Sequence, residues 1–301
     1  MPSLKEIKGR IGSVQSTLKI TSAMKLVASA KLRKAQQAIE GMRPYERKLQ
    51  EILSQLMAQG AGLSGVSDYT ARTLPEDAVP SKPRIALVAF ASNTSLCGAF
   101  NANAVRLAFD CLREYGEADV TVYSVGRKMA DSMKKAGYPS PGDYTSLSDK
   151  PSYAGAAALA EQLVKDYREG RVDRVELVYN HFVSSARQVP VREVLLPLAS
   201  VGQDPAGSAP TAVTPPPAGY LLEPSAQALL EELLPKSLKL RVYTALLDSN
   251  ASEHAARTVA MQTATDNGED LLQELTLQYN KSRQQKITAE ILDLAGGAQE
   301  R

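Results

Sequence analysis

Apolar residues recur every three or four positions along the first sixty residues of this chain. Stepping from Leu4 to Leu56 by alternate threes and fours meets almost only apolar side chains, and the exceptions are Thr21, Lys25 and Glu46. Such a seam is typical of a coiled coil, so the pattern predicts one helix over residues 3–57. A proline inside the pattern, Pro44, is expected to kink this helix or to interrupt it locally.

The stretch 20–30 also has apolar residues outside the seam. They are Ile20, Ala23, Met24, Leu26, Val27 and Ala30. A helix that is apolar on nearly every face is usually buried on nearly every side. We therefore expect this part of the helix to be surrounded by something larger than one partner helix.

A different pattern follows a Gly-, Ser- and Pro-rich linker over residues 61–83, since short apolar runs then alternate with amphipathic segments. The predicted strands are 84–91, 119–125, 174–184 and 188–196, and the predicted helices are 100–115, 126–137 and 153–168. This alternation predicts a mainly parallel sheet with an antiparallel edge. Residues 200–219 are predicted to form a Pro-rich loop, after which residues 220–224 return as an edge strand.

A second long helical segment ends the chain. Ser225 is the expected N-cap of a short helix, and Pro235 is expected to interrupt that helix or to start the next. Residues 236 to about 294 contain Gly268 as their only glycine and no proline, so they predict one very long helix. Two consecutive glycines, at 296 and 297, are expected to end it.

These elements together predict an α/β fold. A long antiparallel coiled coil is formed by an N-terminal helix (residues 1–60) and a C-terminal helix (residues 225–301), and a Rossmann-like α/β domain occupies residues 84–224. The antiparallel pairing follows because the chain leaves the domain and has to return to it.

Charge adds one feature to this outline. The chain as a whole has a net charge of +2, but its first sixty residues hold eleven Lys and Arg against four acids, a balance of +7. A basic segment in a nearly neutral chain suggests an acidic partner, although the same charges equally fit a solvated helix face. These basic residues lack interleaved aromatic residues, so nucleic-acid binding is not expected.

The composition argues against several other classes. Two cysteines in 301 residues provide neither a disulfide framework nor a metal cluster. No apolar run approaches the ~20 residues of a membrane span. The N-terminus lacks the apolar core of a signal peptide, and its heptad pattern already belongs to the fold, so a cytoplasmic compartment is expected.

No catalytic, cofactor-binding or metal-binding constellation is found in the sequence. The α/β segment contains neither a G-x-G-x-x-G turn nor a G-x-x-x-x-G-K-[ST] loop. The turn after the first strand, residues 92–101, has Gly98 alone, which fits a turn residue. Cys97 has no nearby histidine motif to act as its base, and His254 lacks metal-binding spacing.

Three stretches of the chain resemble the γ subunit family of F-type ATP synthases. They are residues 19–31 (KITSAMKLVASAK), 96–101 (LCGAFN) and 252–288 (SEHAARTVAMQTATDNGEDLLQELTLQYNKSRQQKIT). The third stretch is the most specific, and the resemblance extends over nearly the whole chain.

The resemblance implies a non-catalytic rotor role without a cofactor. The terminal helices would form the central-stalk shaft inside three α and three β subunits, where β carries out the ATP chemistry. The α/β domain would sit over the membrane c-ring and contact the ε subunit. The chain would then be a peripheral component at the cytoplasmic face of the cell (inner) membrane, attached to it only through the complex.

The resemblance also assigns roles to individual residues. Arg283 and Gln284 would meet an acidic loop of β, because a guanidinium fork suits a carboxylate. The full set of implied partner and torque contacts is Met24, Lys25, Arg257, Arg283 and Gln284. The implied bearing surface is Ile20, Ala23, Val27, Ile287, Ile291 and Leu294. Considered without the resemblance, each of these is an ordinary solvated or seam-lining helix residue.

Two departures from the family pattern and two alternative functions remain. Asn93, Thr94 and Ser95 stand where the family usually has Asp-Arg-Gly, and the Pro-rich loop is longer than the pattern requires. A coiled-coil scaffold or adaptor that self-associates through Leu4–Leu56 is one alternative function. A Rossmann-like enzyme is the other.

Overall fold

The computed structural model describes residues 3–59, 69, 82–116, 118–198, 223 and 225–297. It divides into two compact units. The first unit comprises Met1–Ala30 and Arg257–Arg301, and the second comprises Lys31–Ala256. The predicted linker 61–83 lies largely outside the described residues. The Pro-rich loop 200–219 and almost all of the predicted edge strand 220–224 also lie outside them.

Six helices and four strands are described. The helices are α1 (Leu4–Gln59), α2 (Phe100–Tyr115), α3 (Arg127–Lys135), α4 (Thr145–Asp149), α5 (Tyr153–Arg168) and α6 (Ala226–Gly297). The strands are β1 (Arg84–Phe90), β2 (Asp119–Val125), β3 (Arg174–Ser184) and β4 (Arg187–Leu196). Each predicted element within the described residues is confirmed to within three residues at its ends, apart from the two proline positions discussed next. The short helix α4 was not predicted.

The expectation that Pro235 interrupts a helix or starts a new one is wrong, because α6 runs through it. A proline inside a helix loses one backbone hydrogen bond, at a cost of about 3 kcal/mol. The leucines on both sides of it, Leu234 and Leu238, are buried at 1–2% exposure, and their packing offsets that cost. Helix α1 likewise continues through Pro44, so the local break expected there is absent.

The N-terminus of α6 is capped as predicted. The Ser225 side-chain oxygen accepts a hydrogen bond from the backbone N–H of Ala228 at 3.2 Å, and the Ser225 carbonyl accepts one from Leu229. A serine in this position satisfies a donor that the first turn of a helix cannot pair internally. At the other end α6 finishes at Gly297, where the sequence predicts it to end.

The second unit is built on a four-stranded sheet with the order β2-β1-β3-β4. Strand β1 pairs parallel with β2 and β3, and β4 pairs antiparallel with β3. This confirms the mainly parallel sheet with an antiparallel edge.

Both faces of the central strand β1 are covered, so all but its first residue are buried. Ala86, Val88 and Phe90 belong to a core that includes residues of α5, α1 and α6. The alternating residues Leu87 and Ala89 belong to a second core with α2 and α3. Side chains of a strand alternate between faces, so the continuous apolar run of β1 supplies both cores.

One carboxylate is buried within this sheet. Glu176 on β3 is 0% exposed and accepts hydrogen bonds from Arg174 Nε at 2.6 Å and from Arg192 Nε at 2.7 Å. Burial by itself would raise the pKa of Glu176. Hydrogen bonds from Arg192, Tyr115 and Arg174 outweigh the burial and hold that pKa below its usual value.

We predict that Glu176→Gln lowers the free energy of unfolding by about 3 kcal/mol near neutral pH, because it replaces the buried carboxylate shared by Arg174 and Arg192 with a neutral amide. The pKa of Glu176 is depressed in the folded state, so its contribution is present above pH ~4.3 and is lost as the pH falls through the folded pKa. The difference in the free energy of unfolding between wild type and variant should therefore be smaller in acid. Urea unfolding at pH 7 and pH 3.5 tests this, with the exposed Glu40→Gln as control. A constant gap would contradict it.

Candidate partner-binding surface on the terminal helices

In the first unit α1 and α6 lie antiparallel. Successively higher-numbered residues of α6 contact successively lower-numbered residues of α1, as three contacts show. These contacts are Lys25 with Gln262, Thr21 with Thr265, and Leu18 with Gly268. A Cβ built on Gly268 would lie 2.7 Å from a methyl carbon of Leu18, so the glycine allows close approach there. The pairing buries apolar side chains of both helices, including Ile7, Ala28, Met261 and Leu275.

Two polar residues are buried in this pairing. The hydroxyl oxygens of Thr21 and Thr265 lie 3.0 Å apart, and both residues are under 10% exposed. Each hydroxyl also lies within hydrogen-bond distance of a carbonyl of its own helix, Leu18 and Met261 respectively. Thr21 is one of the polar exceptions in the apolar seam, and a buried polar pair of this kind favours one register between two helices.

A second polar exception in the seam, Lys25, is also paired across the helices. Its ammonium donates to Gln262 Oε1 at 2.8 Å, and Gln262 Nε2 donates to Asp266 Oδ1 at 2.6 Å. Lys25 and its neighbour Met24 are both half-buried. Both side chains therefore reach the surface of the helix pair, and Lys25 is held in a defined position there.

The other residues assigned as partner contacts differ in exposure. Arg257 is 8% exposed and has a partner within the chain. Arg283 and Gln284 are exposed, and among the described residues their side chains have no hydrogen-bond partner. The five assigned residues therefore comprise an exposed pair near the end of α6 and a more buried group at 24–25 and 257.

Apolar side chains are exposed mainly in the first unit. In the part of the chain that the structure describes, nine of the thirteen exposed large apolar residues belong to it: Ile20, Leu26, Val27, Val259, Leu271, Leu277, Ile287, Ile291 and Leu292. An exposed concentration of large apolar side chains marks an interaction surface more often than a solvated one. We call these nine residues the apolar surface of the first unit.

The predicted bearing residues overlap with this surface. Ile20, Val27 and Ile291 are 58–60% exposed, Ile287 is 43% exposed, and Ala23 is exposed as well. The side chain of Leu294 lies outside the described residues. The bearing assignment omitted the equally exposed residues Leu26, Val259, Leu271, Leu277 and Leu292. In the sequence, these residues could have been found as large apolar residues of a long helix that lie outside its seam.

The second unit has a Rossmann-like sheet, but α6 occupies the edge where such sheets bind nucleotides. Ligands bind at the carboxyl ends of parallel strands. There the space among Phe90, Val125 and Leu246 measures about 10 Å³, far below the volume of a nucleotide site. Ser148 of α4 donates to the carbonyl of Ala91 at 2.8 Å, and Asn250 of α6 donates to the carbonyl of Ser148 at 3.0 Å.

Hydrogen bonds also fix the loop after β1. Asn93 Nδ2 donates to the carbonyl of Thr145 at 2.8 Å, and Asn93 Oδ1 accepts the backbone N–H of Arg127 at 2.8 Å. The substituted Asn93 thus joins the loop to α3 and α4. Cys97 is buried, with Asn101 Nδ2 at 3.1 Å from its sulfur, which is a packing environment rather than that of an exposed nucleophile. Gly98 has φ 57°, consistent with a turn residue.

Within the described residues, no group of three or more His, Cys, Asp and Glu side chains is placed to hold a metal ion. None of the helices in that part of the chain is long and apolar enough to cross a membrane.

Sequence comparisons give one consistent match. A family model described as ATP synthase matches residues 3–300. An ATP synthase gamma chain of Phocaeicola vulgatus is 52% identical, and the alignment covers 99% of both chains. ATP synthase gamma chains of Bacteroides fragilis and Flavobacterium johnsoniae are 50% and 40% identical, again over 99% of both chains.

Solved structures with a similar fold also align with this chain. A chain in the rotor of the Euglena gracilis mitochondrial ATP synthase aligns with a TM-score of 0.60 at 20% identity, covering 94% of this chain and 98% of that one. A chain in the central stalk and c-ring of the Tetrahymena thermophila mitochondrial ATP synthase aligns with a TM-score of 0.54 at 24% identity, covering 81% and 99%. At these identities the likeness establishes the fold.

We predict that Thr265→Val and Thr21→Val are coupled. Either single change removes the hydroxyl pair and should cost about 1 kcal/mol locally, whereas the double variant should cost less than the two single costs added together. Hydrogen exchange of the backbone amides of residues 257–277 measures this cost. Thr263→Val, at an exposed threonine of the same helix, is the control. Strictly additive costs would show that the two hydroxyls do not interact.

Proposed function

This chain belongs to the ATP synthase gamma chain family, and we propose that its paired terminal helices are the rotor shaft of the central stalk. In this proposal the chain has no active site of its own. It transmits conformational change between the proton-translocating membrane sector and the catalytic β subunits.

The apolar surface of the first unit is the observation that carries this proposal. A shaft that turns inside a ring of subunits has to slide past changing neighbours, so its outer side chains cannot depend on one fixed set of hydrogen bonds. Apolar contacts are non-directional and meet this requirement. We propose that Ile20, Ala23, Val27, Ile287 and Ile291 are part of the bearing, with Leu294 included from the sequence.

Torque also requires contacts that depend on angle. Arg283 and Gln284 are exposed and without a described partner, so both side chains are available to a second protein. A guanidinium forms paired, directional hydrogen bonds with a carboxylate, which suits a contact that is made at one shaft angle and broken at another. We assign Arg283 and Gln284 to an acidic loop of the β subunit.

The second group of assigned contacts works differently. Lys25 is already positioned by Gln262, and Arg257 is buried with a partner inside the chain. We propose that Met24 and Lys25 present a pre-positioned surface to the α and β subunits, with Arg257 included in this contact region from the sequence. A side chain that is already ordered loses less conformational entropy when a partner binds.

The remaining partners follow from the family. We propose that the chain assembles with three α and three β subunits, the ε subunit and the membrane c-ring. Its place is the cytoplasmic face of the cell (inner) membrane, as a peripheral component held there through the complex.

The two alternative functions have less support. A scaffold that self-associates through the α1 seam would need that seam to be free, but α6 covers it at Ile7 and Ala28 in the first unit and at Ile39 in the second. A nucleotide-binding enzyme would need a crevice at the carboxyl ends of the strands, and α6 fills that position.

Co-purification tests the rotor role directly. The chain, tagged in its α/β domain, is isolated from gently solubilised membranes of its native cells. The expected result is co-elution of α and β subunits in excess over this chain, together with ATPase activity. Elution of the chain alone or as a homodimer, without ATPase partners, would overturn the rotor proposal in favour of the scaffold.

The double variant Arg283→Ala/Gln284→Ala tests the torque contact. We expect ATP-driven proton pumping by membrane vesicles to fall about tenfold or more, since even one charge-assisted hydrogen bond is worth about 1.5 kcal/mol. The fold should survive because both side chains are exposed. Gln278→Ala/Lys281→Ala, an exposed pair on the same helix, is the matched control. Pumping at the wild-type rate in the test variant would refute the assignment.

A further inference from the structure

Polar side chains join helix α6 to the antiparallel strand pair β3–β4 within the second unit. We call this set the hairpin–helix seam. Its members are Tyr179, Asn180 and His181 on β3, Glu193 on β4, and Arg241, Asp248 and Ser252 on α6. Buried polar groups hold their neighbours in one geometry because leaving any of them unpaired is costly.

The pair at the centre of the seam is His181 and Asp248. The His181 Nδ1 atom lies 2.5 Å from an oxygen of the Asp248 carboxylate. The Asp248 side chain is 7% exposed and the His181 side chain 34% exposed. Protons therefore reach the imidazole from solvent, while the carboxylate that it pairs with is shielded from water. The shielding strengthens the attraction between a protonated imidazole and the carboxylate.

The contacts on either side of this pair are made by arginine, tyrosine and serine side chains. Arg241 pairs with Glu193, and the same carboxylate accepts the phenol hydroxyl of Tyr179 at 2.9 Å. Burial, and then the nearby Glu193, raises the pKa of Tyr179 far above neutrality. On the other side, Ser252 donates to the backbone carbonyl of Asn180 at 2.8 Å. Among the described members of the seam, His181 is the one histidine, the residue type whose ordinary pKa lies closest to neutral pH.

Charged groups from three elements face His181. Asp248 comes from α6, Glu193 from β4 and Arg43 from α1. The hydrogen bond to Asp248 raises the pKa of His181. Burial opposes this, the Asp248 and Glu193 charges add to the rise, and Arg43 counters it. The net direction is upward, so folding favours the imidazolium form.

We propose that His181 and Asp248 are positioning residues that hold the β3–β4 edge of the sheet to helix α6 in a pH-dependent manner. The proposal rests on the rotor function, in which force applied to the α/β part has to reach a shaft helix. The seam is a direct route for that force, because α6 is one continuous helix from Ala226 to Gly297. In this proposal His181 acts through Asp248.

The direction of the pH effect follows from the raised pKa of His181. The stabilisation from the pair is complete below the unfolded histidine pKa of about 6.5 and is lost as the pH rises through the higher folded value. The hold on α6 is consequently tightest in mildly acidic conditions and weakens toward alkaline conditions. The Arg241 and Ser252 hydrogen bonds of the seam remain. The attachment of α6 to the β3–β4 edge therefore weakens but is not lost.

The first test measures the pairing in the full-length chain. The chain has only two histidines, so His254→Gln leaves His181 as the one histidine signal in an NMR titration. We expect the pKa of His181 to lie above about 6.5 and to fall when Asp248→Asn is added. A pKa at or below that value, or one that Asp248→Asn leaves unchanged, would overturn the proposal.

The second test measures the hold on the helix. We expect the α6 amides of residues 245–252 to exchange about fivefold faster in His181→Gln than in wild type at pH 6, and by a smaller factor at pH 8.5. His181→Lys keeps a cation at both pH values and should show protection that does not change between them. An equal ratio of His181→Gln to wild type at the two pH values would mean that the side chain is merely packed there.

The third test uses the assembled enzyme, in which protons pumped per ATP hydrolysed are measured from pH 6 to 8.5. We expect wild-type coupling to decline with rising pH, His181→Lys to stay flat, and His181→Gln to remain below wild type at low pH. If wild type does not assemble or couple, the rotor proposal fails while the NMR result stands. If wild type couples and all three proteins give one profile, the positioning role fails while the rotor proposal stands.

Discussion

Helices α1 and α6 are held together by the apolar seam of α1, whose members recur every three or four residues, and by the buried side chains of α6. An isolated helix is marginal in water, because its backbone hydrogen bonds barely offset the entropy of ordering the chain. Helices of 56 and 72 residues therefore need burial along one side. In the first unit Ile7 and Met261 supply it, and in the second unit Leu32 and Leu247 belong to one cluster. The seam uses only part of each circumference, which leaves the remaining faces of the first unit for other proteins.

Helix α6 also determines what the α/β part cannot do. A sheet of this order ordinarily has its ligand crevice at the carboxyl ends of its parallel strands. Here the α6 side chains near Leu246 and Asn250 occupy that edge, and hydrogen bonds through Ser148 fix them there. The same burial that removes a ligand site strengthens the attachment of the helix to the sheet. Fold likeness to nucleotide-binding proteins therefore says nothing about nucleotide binding by this chain.

The elements with a regular period were predictable because the period itself is the physical cause of their burial. The short helix α4 was missed since five residues, TSLSD, are too few to show a period. The Pro235 prediction failed because local propensity was outweighed by the buried leucines around it.

The contacts between residues far apart in the chain also could not be predicted from the sequence. Thr21 and Lys25 were visible as polar gaps in the seam, but their partners Thr265 and Gln262 lie more than 230 residues away. The sequence itself shows that the residues of the apolar surface of the first unit are apolar. Which of them remain exposed depends on a pairing register that only the fold specifies.

A rotor needs rigid contacts within itself and an outer surface that can slide past other subunits. In this chain, different kinds of side-chain contact meet these two requirements. Its internal contacts are directional: a carboxylate between two arginines at Glu176, a hydroxyl pair at Thr21, and the imidazole–carboxylate pair at His181. Each has one good geometry and resists being turned. The nine residues of the apolar surface of the first unit make non-directional contacts, which do not favour one angle over another. If the exposed side chains made directional contacts, the shaft would bind the surrounding subunits at one angle. If the internal contacts were only non-directional, the elements of the chain could shift against each other. Directional polar pairs between the elements of the chain, together with exposed apolar side chains on the helix pair, therefore suit the rotor role.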